Sequence, residues 1–147
     1  MNGDQRNEGL VIVRGAVDGF VQEVIAGAHQ LRSDEPTSAG GTDTGPTPYD
    51  LLLGALGSCT SMTLAMYARR KKWPLERVTV RLRHSREYAK DCENCETQDT
   101  RLTVIDREIA LDGSLDDDQR ARLLAMANQC PVHRTLSSRI EVRTTVQ

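Results

Sequence analysis

The residue pattern predicts an α+β fold in the order β-β-β-α-β-β-α-β, with mostly antiparallel sheet. Three observations carry that prediction. Strand-like and helix-like stretches do not alternate regularly, as a doubly wound parallel sheet requires. An Asp18-Gly19 pair separates two β-rich segments, which is a hairpin signal. A long apolar segment, Tyr49 to Lys72, is bounded by helix start and stop residues.

Taken in order, the first strand covers Leu10 to Arg14, the second Phe20 to Ile25, and a short third His29 to Arg32. Ser33 to Pro48 follows as a long loop punctuated by Pro36, Gly40-Gly41, Gly45-Pro46 and Pro48. Structureless connections of that length are usually functional or mobile. Thr47-Pro48 opens the helix, Asp50 complements its dipole, Arg69 to Lys72 fill its last turn, and Trp73-Pro74 stops it. Its apolar residues, among them Leu52, Leu56, Cys59, Leu64 and Met66, are not confined to one stripe, which marks a buried, central helix. Val78, Val80 and Leu82 alternate with Thr79, Arg81 and Arg83, the period of a half-buried strand. After the acidic stretch Asp91 to Asp99, Leu102 to Leu111 forms the next strand. Ser114-Leu115-Asp116-Asp117 resembles a capping box with Asp in place of Glu. It opens a second helix through Leu123, Leu124, Met126 and Ala127 to Cys130, where Pro131 stops it. A short turn then leads to a last strand, Ile140 to Val146.

A chain of 147 residues predicts one domain, 1–147, with residues 1–9 as a flexible N-terminus. Lys and Arg number 19 against 21 Asp and Glu, a net charge of −2, so there is no electrostatic basis for nucleic acid or an acidic membrane as the main partner. The polar N-terminus lacks the apolar core of a signal peptide, and no apolar run approaches the ~20 residues of a membrane helix. A cytoplasmic location is therefore expected, where cysteines are more often catalytic, metal-binding or buried than bridged. Leu, Val, Ile and Phe together make 32 of 147 residues and aromatics only 3%, so the core of a single chain is thin and a partner subunit is expected to complete it.

Four cysteines carry the candidate chemistry: Cys59, Cys92, Cys95 and Cys130. Cys59 shares a helix face with Leu52, Ala55, Leu56, Met62 and Met66, and Cys130 one with Leu123, Met126 and Ala127. Each reads as a small buried hydrophobe, or the two together as a peroxidatic and resolving pair; spacing alone does not show that they meet. Cys59 follows the small-residue stretch Gly54-Ala55-Leu56-Gly57-Ser58, which permits close backbone approach. Cys92-Glu93-Asn94-Cys95 reads first as a pair of exposed, non-essential thiols; as half a zinc site it would need His84 or a second copy of the motif to complete it, and its acidic neighbours disfavour a redox role. His133 and Arg134, just beyond Cys130, are candidates to support a thiolate, or else a turn residue and a surface ion-pair partner.

Three segments carry a resemblance: Gly45-Pro46-Thr47-Pro48-Tyr49-Asp50-Leu51-Leu52-Leu53, Ala55-Leu56-Gly57-Ser58-Cys59-Thr60 and Cys130-Pro131-Val132-His133-Arg134-Thr135-Leu136. Together they resemble the OsmC/Ohr family, the osmotically inducible and organic-hydroperoxide-resistance proteins, in a less characterised OsmC-like branch. The resemblance implies an intertwined homodimer in which antiparallel sheets wrap two central helices. It further implies thiol-dependent reduction of organic hydroperoxides in oxidative-stress defence, with Cys59 peroxidatic and Cys130 resolving, and an external dithiol to reduce the resulting disulfide. No metal, flavin or other cofactor is implied.

Two positions depart from the peroxidase branches. Those branches carry a Glu after the loop proline, where this chain has Tyr49 with Asp50 one place later. They also carry an Arg before the hairpin turn, where this chain has Val17 with Arg14 nearby. A buried thiol without a cation is a poor nucleophile at neutral pH, so Arg14, His133 and Arg134, with Tyr49 and Asp50, are the thiolate-supporting candidates. The alternative function is a non-enzymatic dimer of the same fold that binds a small apolar ligand, its thiols vestigial.

Overall fold

A computed structural model describes residues 9–88 and 101–147. The chain divides into two compact units, 1–52 and 53–147, with the division falling within one long helix.

In the first unit, β1 (Val11–Gly15), β2 (Gln22–Ala26) and β3 (His29–Ser33) form an antiparallel sheet in the order β1-β2-β3. Val13 stands opposite Val24, and Val24 opposite Leu31. Gly19 takes a φ of 81°, a conformation that glycine adopts without a Cβ penalty, and so allows the chain to reverse after Asp18. The long loop after β3 is ordered. It contains a turn of 3₁₀-helix at Thr37–Ala39 and is organised by Asp34, whose side chain is only 1% exposed. One carboxylate oxygen accepts from the Glu35 amide at 2.8 Å. The other accepts from the amides of Thr42 and Thr44 at 3.2 and 3.1 Å and from their hydroxyls at 2.6 and 2.9 Å. The Thr42 hydroxyl and Thr44 amide, helped by Glu35 and against the opposing cost of burial, hold this carboxyl far below the usual carboxylate range.

Helix α1 (Pro48–Lys71) starts at a reciprocal cap: the Thr47 hydroxyl accepts from the Asp50 amide at 3.1 Å, and the Asp50 carboxylate accepts from the Thr47 amide at 2.9 Å. It ends where Lys72 turns to a φ of 56° and the Trp73 amide bonds back to the Ala68 carbonyl. The sequence expectation that no apolar run reaches membrane-helix length is corrected here, because α1 is long and apolar enough to cross a bilayer by length and composition. Within the chain it buries one stripe, Leu56, Gly57, Thr60, Leu64 and Ala68, while Met62 stays 69% exposed. The all-round burial read from composition is thus not reached within one chain.

In the second unit, β4 (Leu75–Tyr88) and β5 (Arg101–Gly113) pair antiparallel, with Val80 opposite Ile109 and a register shift between Leu75 and Arg77. Gly57 leaves room for Leu82, whose methyl group would lie 2.8 Å from any Cβ at that position. Helix α2 (Asp117–Ala127) begins two residues later than the Ser114 box predicts: Asp116 is the cap and Gln119 its reciprocal partner, at 2.8 and 3.0 Å. The core gathers Leu64, Ala68, Leu115, Leu123 and Ala127.

Two further expectations are corrected. The second helix does not run to Cys130; it ends at Ala127, and a third helix, α3 (Pro131–Leu136), follows. Proline has a fixed φ suited to the first helical turn, so Pro131 starts a helix rather than only ending one. The strand expected over Ile140 to Val146 is not formed, and 139–147 is neither helix nor strand. A strand needs a ladder partner, and no described strand pairs with this segment. Ile140, Val142 and Val146 are exposed.

Candidate functional site

The second unit brings Cys59 and Cys130 together, although 71 positions separate them in sequence. Cys59 lies on α1, half-buried, and Cys130 caps the N-terminus of α3, fully buried; neither is bridged. Cys59 stands near enough to Cys130 to favour its ionised form. The Cys130 sulfur accepts from the His133 main-chain N–H at 3.2 Å and lies 3.9 Å from the hydroxyl of Thr60, the residue after Cys59. Burial pushes the Cys130 thiol up, but the His133 amide, Cys59, Thr60 and the charge of Arg107 together outweigh it, leaving the thiol below its ordinary value.

Arg107 is the cation of this network. One terminal nitrogen donates to the Thr60 hydroxyl at 3.0 Å and to the Ala127 carbonyl at 3.3 Å; the other donates to the Asn128 side-chain oxygen at 3.0 Å. Thr60 is itself fully buried and donates to the Leu56 carbonyl at 2.7 Å. Arg107 and His133, which neighbour Cys130, help to line a cavity of about 380 Å³, with Leu56, Ile105 and Leu136 on its apolar side and Thr103 and Ser137 completing the polar side. A pocket with one apolar wall and convergent cationic and hydroxyl groups suits a small, partly apolar molecule with a polar end.

The other candidates fall elsewhere. Arg14 is exposed on β1, opposite Glu23. Tyr49 is partly exposed in the first turn of α1, and Asp50 serves the cap of that helix. Arg134 is exposed on α3. His133 reaches Cys130 through its main chain, while its side chain lines the cavity. Cys92 and Cys95, the candidate metal pair, lie outside the described residues; among the described residues no group of three or more His, Cys, Asp or Glu stands together to hold a metal. Sequence reading missed Arg107 and Thr60. A signal for Arg107 was present: it falls in phase with Ile105, Ile109 and Leu111, the inward face of β5, while Asp106 and Glu108 point outward.

A family model described as OsmC-like protein matches residues 41–145. Among solved structures, an OsmC-like protein from Mycoplasma pneumoniae is similar with a TM-score of 0.70 and 18% identity, covering 87% of this chain and 86% of that one. An organic hydroperoxide resistance protein OsmC from Legionella pneumophila is similar with a TM-score of 0.62 and 20% identity, over 86% and 87% of the two chains. An organic hydroperoxide resistance protein from Elizabethkingia anophelis has a TM-score of 0.64 and 17% identity, over 89% of each chain. At these identities the likeness is one of fold. No curated protein matches the chain.

Proposed function

Because the chain belongs to the OsmC-like protein family, we propose that it reduces organic hydroperoxides through Cys59 and Cys130, as a stress-defence enzyme. The observation that carries this reading is the approach of two free thiols, with Leu56, Arg107 and His133 around them lining a cavity that has an apolar wall. The hydroperoxide-resistance proteins of similar fold support the substrate class.

In the first step the Cys59 thiolate attacks the terminal peroxide oxygen. An S–O bond forms, the O–O bond breaks, and the departing alkoxide takes a proton to leave as an alcohol. Cys59 is oxidised to the sulfenic acid and the peroxide is reduced. Cys130 then attacks the Cys59 sulfur, forming the S–S bond and expelling hydroxide, which takes up a proton to leave as water. An external dithiol returns the disulfide to two thiols and is itself oxidised. Cys59 is the more accessible sulfur and takes the peroxide; the buried Cys130 meets only its neighbour.

The active form in this reading is a cytoplasmic homodimer. Met62 and Met66 on α1 and the apolar residues of 139–147 are exposed in the single chain, more apolar surface than one copy covers. Sedimentation should give a dimer, and dilution should unfold it rather than release a stable monomer.

The rival reading, an apolar-ligand-binding dimer with vestigial thiols, draws on Val17 and Tyr49 standing where the peroxidase branches carry Arg and Glu. Consumption of an organic hydroperoxide in the presence of a dithiol separates the two. Turnover that disappears in Cys59→Ser supports the peroxidase, and turnover that survives that change refutes it.

A further inference from the structure

We propose that Arg107, acting through Thr60, is a positioning residue for Cys130, readying that sulfur to attack Cys59 in the disulfide-forming step. The inference rests on the peroxidase reading and adds to it a control on the second half of the thiol chemistry.

The Thr60 hydroxyl has a single proton. Arg107 donates to its oxygen at 3.0 Å, so that proton can point only outward, either to the Leu56 carbonyl at 2.7 Å or to the Cys130 sulfur at 3.9 Å. A hydroxyl that accepts from a guanidinium is polarised and becomes the stronger donor. While Cys130 is a neutral thiol, the carbonyl is the better acceptor. When Cys130 is a thiolate, the sulfur competes for the same proton, and the guanidinium charge behind the hydroxyl favours that state. Arg107 is itself fixed by the Ala127 carbonyl and the Asn128 side chain, at the turn that leads into Cys130. One side chain on β5 thus ties the residue after Cys59 to the segment that carries Cys130.

The groups that face Cys130 are few. Arg107 of β5 bears the charge, Cys59 of α1 is the other titrating group, Thr60 of α1 supplies the hydroxyl, and His133 of α3 supplies a main-chain N–H. The step served is the condensation of sulfenic acid and thiol. The proton shed by Cys130 equals the one taken up by the departing hydroxide, so the products are disulfide and water and no further oxidant enters.

The test separates this role from the peroxidase reading by omitting peroxide. In protein carrying Cys59→Ser, Cys92→Ser and Cys95→Ser, the ultraviolet thiolate absorbance of Cys130 is titrated against pH. Arg107→Met should raise the midpoint by about one pH unit, Thr60→Val should raise it in the same direction, and Thr60→Ser should restore it. With Cys59 present and one equivalent of hydroperoxide, disulfide closure at neutral pH should slow about threefold in Arg107→Met, since a tenfold loss of thiolate is partly offset by greater nucleophilicity. If Arg107→Met does not fold, the Thr60→Val and Thr60→Ser pair decides. Midpoints unchanged in the folded variants overturn the proposal even where hydroperoxide is consumed. A shifted midpoint in a protein that consumes none upholds the control of Cys130 and refutes the peroxidase reading alone.

Discussion

The Cys130 sulfur accepts the main-chain N–H of His133 at 3.2 Å, so the buried cysteine and the start of α3 are one structural unit. That relationship opposes the penalty of burial and helps to hold the Cys130 thiol below its ordinary value, next to Cys59.

The first prediction concerns the division of labour between the two cysteines. In Cys130→Ser, hydroperoxide should still oxidise Cys59, but no partner thiol captures the sulfenic acid, and it should advance to the sulfinic acid. Intact-protein mass spectrometry reads this. A Cys130→Ser protein that turns over as the parent does would remove Cys130 from the chemistry.

The second concerns the Asp34 clamp. Its folded carboxyl titrates far below its unfolded value, so its contribution to stability is present above the unfolded value of about 4 and is lost as the pH falls toward the folded one. Asp34→Asn places an amide N–H₂ where the carboxylate accepts five donors, and should lower Tm at neutral pH. The gap between parent and variant should close progressively in acid. A gap that stays constant down to strongly acidic pH would show that the charge of Asp34 is not what organises the loop.

Core packing gives the third. Leu123 is completely buried among Leu64, Ala68, Leu115 and Ala127, so Leu123→Ala should cost about 2–5 kcal/mol through lost burial and a residual cavity. Urea unfolding should show a lower midpoint at unchanged slope. A cost well under that range would mean that this cluster is not the core.

The fourth tests the corrected helix start. Asp116→Ala should cost about 1 kcal/mol, because the Gln119 amide loses its acceptor, whereas Ser114→Ala should change stability little. The reverse ranking would put the cap at Ser114.

The strands of both sheets and the long helix were legible because period-two alternation, Asp18-Gly19 and the Thr47-to-Pro74 boundaries are local signals. Helix α3 was not, because a proline after a helix reads equally as a stop and as a first helical residue. The segment 139–147 has the composition of a strand, but pairing is a property of two segments and composition describes one. The site divides in the same way. The cysteine motifs pointed to Cys59 and Cys130 through family resemblance, while their meeting depends on how α1 packs against the turn after α2, which no spacing encodes. Arg107 was hidden between Asp106 and Glu108, where a run of charges resembles a solvated edge until the alternation of β5 is followed through it.

The most direct measurement is the mass-spectrometric mapping of disulfides after treating the reduced protein with one equivalent of an organic hydroperoxide. A Cys59–Cys130 disulfide formed in step with loss of the hydroperoxide is the predicted result. Hydroperoxide that persists while both thiols stay free would contradict the account.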